Sequence, residues 1–186
     1  MVDATLNGKS CSLRPITVDD LPLLYGWEAG TSFAFRWRLA GQHMNPQAYA
    51  ESIWDGVLAT FIIRVPTGEE IGIATAYSAD FRNGHCYAAL GRFDNDSEHS
   101  PVKAALASVE AFTLLVDYLF AGWNFRKIYL EVAEYNLSQF SSLIGRACVV
   151  DGTLTDHIYL ANQFWSLSVL SITKPMWLEF RSRHAH

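Results

Sequence analysis

The sequence has little that predicts a membrane-spanning segment or a secretory signal, and it has no excess of basic residues. No uninterrupted apolar run reaches the roughly 18 residues that a spanning helix needs, and the first residues do not follow the pattern of a secretory signal. The net charge of −5 at pH 7 argues against nucleic acid or an anionic membrane as a partner, and it is compatible with an amine substrate. We therefore expect a cytoplasmic protein that binds neither nucleic acid nor membrane.

The sequence is also poor in cysteine and contains no Cys-x-x-Cys motif. Its three cysteines, Cys11, Cys86 and Cys148, are far apart and odd in number. This spacing suggests neither a disulfide framework nor a zinc site. The only closely spaced histidines are His184 and His186, and we predict no metal site.

Apolar residues, by contrast, are abundant. Hydrophobic residues make up 50% of the chain and charged residues 18%, a balance that is typical of a globular protein. A chain of 186 residues is long enough to bury a substantial core. We predict a single domain over residues 1–186, with its core at residues 13–177.

Periodicity and turn signals predict alternating groups of strands and helices. Strands are predicted at 12–16, 59–65, 70–77, 85–93, 126–132, 149–160 and 164–172, and helices at 18–30, 46–56, 101–122 and 137–144. Asn83-Gly84 is a strong hairpin signal, and the long helix before residue 126 predicts a parallel crossover. This order predicts an α/β (α+β) fold, with a mixed, mostly antiparallel sheet of about six or seven strands flanked by helices on both faces.

Two amphipathic patterns assign faces within these elements. In the long helix the apolar side is predicted to carry Val102, Leu106, Val109, Phe112, Val116 and Leu119, and the solvated side Lys103, Glu110 and Asp117. In the strand at 126–132, Ile128, Leu130 and Val132 face one way, and Tyr129 and Glu131 face the other.

Two further stretches carry candidate binding chemistry. In the connection at 35–39, arginines alternate with apolar residues, which is compatible either with a substrate-lining segment or with an irregular cover over the sheet edge. The stretch from Leu90 to the helix start at Pro101 runs from a strand through a polar loop into a helix, and the free N–H groups of a helix start favour anions. Its loop contains Asp94, Asp96 and Glu98 and no glycine, which disfavours an anion there.

The order of several short motifs resembles the GCN5-related N-acetyltransferase (GNAT) family, in particular its ribosomal-protein and amino-terminal acetyltransferase branch. The motifs are Leu13-Arg14-Pro15 with Thr17 and Asp19-Asp20, Leu130-Glu131-Val132 with Asn136, Gly145 followed by Asp151-Gly152 and Asp156-His157-Ile158-Tyr159, and Phe164-Trp165. The resemblance covers most of the chain. It departs from the family in the loop after Phe93, at residues 94–103, where family members have glycines.

The resemblance implies an N-acyltransferase that transfers an acyl group, other than an amino-acyl group, from acetyl-CoA or another acyl-CoA to a primary amine by direct attack. The amine would belong to a small molecule or a protein N-terminus. The residues implied to bind the cofactor are Leu90, Gly91, Arg92 and Phe93 through their backbones, His99, Ser100 and Lys103 at the pyrophosphate, and Asn136 and Ser138 near the acyl end.

Glu131 matches the family's general base, and its alternative is a solvated strand glutamate. Asn136 has the alternative of capping the short helix that follows. The family's proton-donating tyrosine falls on Leu143. Ser138, Ser141 or Ser142 could orient a water in its place, with Tyr135 nearby; of these we name Ser141 as the candidate, and the general acid itself is unassigned. His85 and Asp80 are rival bases by residue type, with turn residues as their alternative.

A second function fits the same sequence. The chain would then be a catalytically inactive member of the fold that serves as a ligand-binding or dimeric interaction module. The glycine-free loop and the missing tyrosine favour it, whereas Glu131 and Asn136 favour the enzyme. Trp177 and Leu178, predicted to be exposed apolar residues of the last strands, are compatible with a homodimer.

Overall fold

The structure is a computed structural model that describes residues 4–29, 44–93 and 101–183, with the side chains of 101–104 left out. The chain divides into two compact units. The first contains Met1–Tyr77 and Leu90–Tyr118, and the second contains Ser78–Ala89 and Leu119–His186.

The described elements follow the predicted order closely. The strands are β1 (Leu6–Asn7), β2 (Ser12–Pro15), β3 (Val57–Arg64), β4 (Glu70–Asp80), β5 (His85–Arg92), β6 (Lys127–Ala133), β7 (Val149–Leu160) and β8 (Gln163–Thr173). The helices are α1 (Leu21–Glu28), α2 (Pro46–Ser52), α3 (Pro101–Gly122), α4 (Glu134–Leu137) and α5 (Lys174–Arg183). Short 3₁₀ turns lie at Val18–Asp20 and Ser138–Phe140.

The strands form one sheet in the order β1-β2-β3-β4-β5-β6-β8-β7. The described ladders are antiparallel except that of β5 with β6, which is parallel and pairs Tyr87 with Tyr129. The fold class predicted from the sequence is confirmed, although the described part of the chain contributes eight strands to the sheet where about six or seven were predicted. The parallel pair follows from α3, because a strand can return beside its neighbour in the same direction only through such a crossover.

The first unit packs α1 and α2 against its strands. Its core brings Leu24 of α1 and Tyr49 of α2 together with Ile62, Ile73 and Phe93. Asn45 caps α2, because its Oδ1 accepts the N–H of Ala48 at 2.9 Å.

Helix α3 presents the predicted apolar face only from Phe112 onward, where Phe112, Val116 and Leu119 are buried. Leu106 and Val109 are 58% and 60% exposed, whereas Ala107, Ala111 and Leu115 are buried. Small alanines therefore make the close contacts of the first half of the helix. Glu110, expected in solvent, bonds to backbone N–H groups of the first unit.

In the second unit, β6 lies between β5 and β8, and β7 forms the sheet edge. The β7–β8 hairpin turns at Ala161 and Asn162, which both have positive φ, as a two-residue hairpin loop requires. The expectation for Trp177 and Leu178 was wrong in part. Both lie on α5 and not on a strand, and Trp177 is 1% exposed while Leu178 is exposed.

The short helix predicted at 137–144 was also misplaced. Helix α4 already begins at Glu134, continues as a 3₁₀ turn to Phe140, and ends in turns that reach Gly145 at φ +80°. Asn136 is therefore inside the helix, and the residue at the cap position is Ala133. The prediction failed because the helix starts directly at the end of β6, without a capping side chain.

One stretch of the described chain, Ala105–Gly122, is long and apolar enough to cross a membrane by length and composition alone. Of this stretch 39% is buried within the structure. Core helices of globular proteins pass the same criterion, so the stretch is weak evidence for a membrane span.

Candidate functional site

A polar face on β5 and β6 collects most of the ionisable side chains of the second unit's central strands. His85 pairs with Lys127 and Tyr87 with Tyr129 in the parallel ladder, and residues in register on neighbouring strands share a face. Glu131 follows Tyr129 by two positions and lies on that face as well. We call these five residues the polar face. Glu131 is exposed, and the other four are half-buried.

The opposite side of the same strands is apolar and buried. Cys86 and Ile128 pair in register and are fully buried, and Leu130 and Val132 are also buried. This alternation was predicted from the sequence, and it is what turns Glu131 away from the core.

The rings of the polar face pack against one another. The centroids of Tyr87 and Tyr129 are 5.4 Å apart with a tilt of 32°, and His85 meets Tyr129 edge to face at 5.4 Å. The Lys127 ammonium lies 5.2 Å from the centre of the Tyr129 ring, within the range of a cation–π interaction. These contacts hold the two phenol rings in place beside Glu131.

Lys127 is fixed from the side of β7 and β8. Its Nζ lies 2.8 Å from Oδ2 of Asp151, and Oδ1 of Asp151 accepts the Ser171 hydroxyl at 2.8 Å. The Asp151 carboxylate raises the pKa of Lys127, and Lys127 lowers the pKa of Asp151. Lys127 is therefore held as a cation at one end of the polar face.

The charge of Glu131 influences the pKa of Tyr87. Burial is the largest cause that raises the pKa of Tyr87, and the Glu131 charge and the neighbouring Tyr129 raise it further. A phenol with a raised pKa stays protonated at neutral pH. The polar face thus presents an exposed carboxylate near a proton-bearing phenol, which are the two groups that general base and general acid catalysis require.

Asp80 has a structural role at the β4–β5 hairpin. Its carboxylate accepts the backbone N–H of Asn83 at 2.8 Å and the Asn83 side-chain amide at 2.7 Å. These bonds lower the pKa of Asp80 and favour the turn alternative over a catalytic base. His85 lies beside the two tyrosines, and its Nδ1 is buried with no hydrogen-bond partner among the described residues.

Asn136, Ser138 and Ser141 lie together in the turns after β6. Asn136 is exposed on α4, and its Oδ1 accepts the Gln139 amide at 3.2 Å. The Ser138 carbonyl accepts the N–H of Ser141 at 3.2 Å, and both serines are exposed. Their proposed roles toward an acyl group therefore stay predictions.

The predicted pantetheine contacts Leu90, Gly91, Arg92 and Phe93 belong to the first unit. The Phe93 N–H donates to the Ile71 carbonyl of β4 at 2.9 Å, so this donor is already used. Backbone groups alternate between the two edges of a strand. The groups of Leu90 and Arg92 therefore point to the edge of β5 away from β4.

Several sequence predictions lie outside the described residues. These are the arginine-containing connection at 35–39, and His99 and Ser100 of the polar loop. Lys103 is part of α3, but its side chain is not described. Sequence reasoning in turn missed Tyr87 and the grouping of Tyr87 with Tyr129. The alternation of β5 hinted at Tyr87, but only the strand register shows which residue it meets.

No family model matches the chain, and no curated protein matches it. Solved structures, however, show that its fold is the GNAT acetyltransferase fold. One of these is a spermidine N-acetyltransferase from Vibrio cholerae in complex with CoA and spermine, with 16% identity, a TM-score of 0.74, and coverage of 92% of this chain and 99% of that chain. Another is a protein from Chromobacterium violaceum, described as a probable acetyltransferase of the GNAT family, with 15% identity, a TM-score of 0.68, and coverage of 95% and 89%.

Proposed function

We propose that the protein is a GNAT-family N-acyltransferase that transfers an acyl group from a coenzyme A thioester to a primary amine. The observation that carries the proposal is the exposed Glu131 carboxylate on β6, on one face with Tyr87 and Tyr129. The likeness to acetyltransferase structures over 92% of the chain supports it. The LEV motif with Asn136 favours the amino-terminal acetyltransferase branch within this family.

Glu131 is the proposed general base. An amine must lose a proton before or during attack on a thioester carbonyl, and a carboxylate within hydrogen-bond reach can accept it. Glu131 is accessible because the alternation of β6 places its neighbours Leu130 and Val132 in the core. Its position at a strand centre also holds it more rigidly than a loop would.

The residues of β5 fit the pantetheine arm of an acyl-CoA. The edge of β5 away from β4 carries the backbone groups of Leu90 and Arg92, which can bond to the two amides of that arm. Arg92 is exposed and adds a cation near the start of the polar loop. Acetyl-CoA or another acyl-CoA would supply the activated acyl group. His99, Ser100, Lys103, Asn136 and Ser138 remain proposed contacts.

The acceptor is proposed to be a cationic amine such as a polyamine. The Vibrio cholerae neighbour is in complex with spermine, and the net charge of −5 favours a positively charged acceptor. A protein N-terminus is the second acceptor class that the amino-terminal branch implies. Both acceptors present a primary amine, so in both cases Glu131 would accept a proton from that amine.

Calorimetric titration with acetyl-CoA and an assay for CoA thiol release with spermine, spermidine and an N-terminal peptide test the proposal. We expect acetyl-CoA to bind and to raise the unfolding temperature, because a ligand of the native state stabilises it. Glu131→Gln should keep this stabilisation and lose about 100-fold or more in turnover. The matched control is Glu179→Gln on α5. Glu179 forms an exposed ion pair with Arg183, so this variant should behave as wild type.

Absence of stabilisation by saturating acetyl-CoA would contradict the enzyme and favour the inactive interaction module. Normal turnover of Glu131→Gln would instead leave the activity in place and remove Glu131 as its base.

A further inference from the structure

Tyr87 lies in register with Tyr129 and on one face with Glu131. In the family pattern the proton donor would stand seven residues after Asn136, where this chain has Leu143. We propose that Tyr87, from the neighbouring strand β5, donates the proton to the departing thiol of the acyl donor. This inference rests on the proposed acyltransferase function and adds a second residue to its chemistry.

The position of Tyr87 is defined by its packing. Its ring is 5.4 Å from Tyr129 and 6.5 Å from His85, centroid to centroid. It is half-buried, so the ring is held by neighbours without being sealed from the surface. A proton donor must be both positioned and accessible, and Tyr87 meets these two conditions.

Tyr129 is the other phenol on this face, and its surroundings give it a different role. Lys127 lies over its ring, with its ammonium 5.2 Å from the ring centre, and Asp151 holds Lys127. Tyr129 thus contacts the Lys127–Asp151 ion pair. Tyr87 is instead the phenol whose pKa the Glu131 charge helps to raise. This difference separates a positioning residue, Tyr129, from the proposed donor.

The charged groups around Tyr87 favour its protonated form. Burial raises the pKa of Tyr87 first, and Glu131 and the Tyr129 hydroxyl raise it further. The other ionisable groups of this face are His85 and Lys127. A phenol kept protonated at neutral pH has its proton available when a thiolate forms.

The proposed step balances without any further reactant. The cationic acceptor first releases one proton to solvent, and the neutral amine is the nucleophile. Its nitrogen attacks the thioester carbonyl carbon, a C–N bond forms, and Glu131 takes one proton from the nitrogen. The C–S bond breaks, the sulfur leaves with the bonding electron pair, and it takes the Tyr87 proton to become a thiol. The protonated Glu131 then returns its proton to the Tyr87 phenolate. The net products are the amide and free CoA.

The coupling of the two residues can be measured without turnover. In protein labelled with ¹³C at the tyrosine Cζ, the resonance that is lost in Tyr87→Phe identifies Tyr87. Glu131→Gln removes a negative charge, so the pKa of Tyr87 should fall. Glu179→Gln should leave it unchanged. A Tyr87 pKa that is the same in Glu131→Gln and wild type would overturn the inference.

The kinetic test uses acetyl-CoA with spermine, spermidine and the N-terminal peptide. Tyr87→Phe should lose about 100-fold or more in turnover while keeping wild-type stabilisation by acetyl-CoA. Fluorotyrosine at position 87, a stronger acid, should restore turnover and move the alkaline limb of its pH profile to lower pH. Tyr159→Phe is the matched control, because Tyr159 is exposed and its hydroxyl bonds Asn162.

The outcomes separate this inference from the proposed function. Wild-type protein with no thiol release for any acceptor would overturn the acyltransferase function and the inference together. Wild-type turnover that persists in Tyr87→Phe would overturn the inference alone. Loss of turnover in Tyr129→Phe with retention in Tyr87→Phe would assign the donor to Tyr129 and would also overturn it.

Discussion

The Glu110 carboxylate on α3 accepts the backbone N–H of Cys11 at 3.0 Å. It also accepts the N–H groups of Lys9 and Ser10 in the turn before β2. The turn wraps so closely that a Cβ at Gly8 would overlap the carboxylate, which explains the glycine there. Three converging N–H groups form an anion-binding nest, and here the chain supplies the anion itself.

Replacement of Glu110 should weaken the protein in a pH-dependent way. Burial raises the pKa of Glu110, but the backbone N–H bonds outweigh it, so the net pKa is lowered. A lowered folded-state pKa stabilises the protein above the unfolded value, and this contribution is lost as the pH falls through the folded pKa. We expect Glu110→Gln to lose about 1–2 kcal/mol of unfolding free energy at neutral pH. Urea denaturation at neutral and at acidic pH measures the difference.

Glu179→Gln is again the matched control, since its carboxylate is in an exposed helix pair with Arg183 and should contribute little. A Glu110→Gln variant as stable as wild type at neutral pH would contradict the role of the nest. A loss of unfolding free energy in Glu110→Gln, relative to wild type, that grows as the pH falls would contradict the expected direction of the pH dependence.

The ion pair of Arg14 with Asp20 makes a second pH prediction. Arg14 donates two hydrogen bonds to Asp20, at 2.8 and 2.9 Å, and also binds Glu70 at 2.8 Å. The Arg14 bonds are the main cause that lowers the pKa of Asp20 to about 2. Lysine cannot reproduce the bidentate geometry. Arg14→Lys should therefore raise the Asp20 pKa toward its ordinary value, as followed by carboxyl ¹³C NMR.

The stabilising contribution of Asp20 is present above its unfolded pKa and is lost as the pH falls toward the folded value of about 2. The wild type should therefore lose more stability than Asp20→Asn over the acidic range between these values. An Asp20 pKa that stays near 2 in Arg14→Lys would show that another group lowers it.

Gly72 on β4 should not tolerate a side chain. A Cβ there would overlap the Gly91 carbonyl oxygen of β5, which is backbone and cannot turn aside. We expect Gly72→Ala to cost about 2 kcal/mol or more and to weaken acetyl-CoA binding through a shift of Gly91. Gly122→Ala, with nothing within 4 Å of its added Cβ, is the control and should be neutral or stabilising. Thermal unfolding with and without acetyl-CoA distinguishes the two variants.

The three cysteines should be unreactive in the native state. Burial raises the pKa of Cys11 and Cys86 to about 12 and that of Cys148 to about 11, so little thiolate is present at neutral pH. A chromogenic disulfide reagent should therefore label them only as the protein unfolds. Rapid labelling of the native protein would show that one of the three is accessible.

The sequence predicted the fold well where local signals and burial agree. The capping Asn45, the turn at Asn83-Gly84 and the alternation around Glu131 each act over a few residues, so they are readable along the chain. Only the first half of the α3 face was misjudged, because Leu106 and Val109 fit the helical period, yet the contacts there are made by alanines beside them. The extent of α4 was misjudged because its start has no capping side chain.

The sequence by itself determined the order of the elements and the face of β6 that carries Glu131, because these follow from periodicity and local hydrogen bonding. Only the tertiary structure decided which residues meet across strands. Tyr87 faces Tyr129 because β5 and β6 pair in one parallel register, and a shift by a single residue would turn it into the core. Glu110 reaches the turn before β2 because folding closes about a hundred residues of chain. Neither of these two contacts can be predicted from a local sequence pattern.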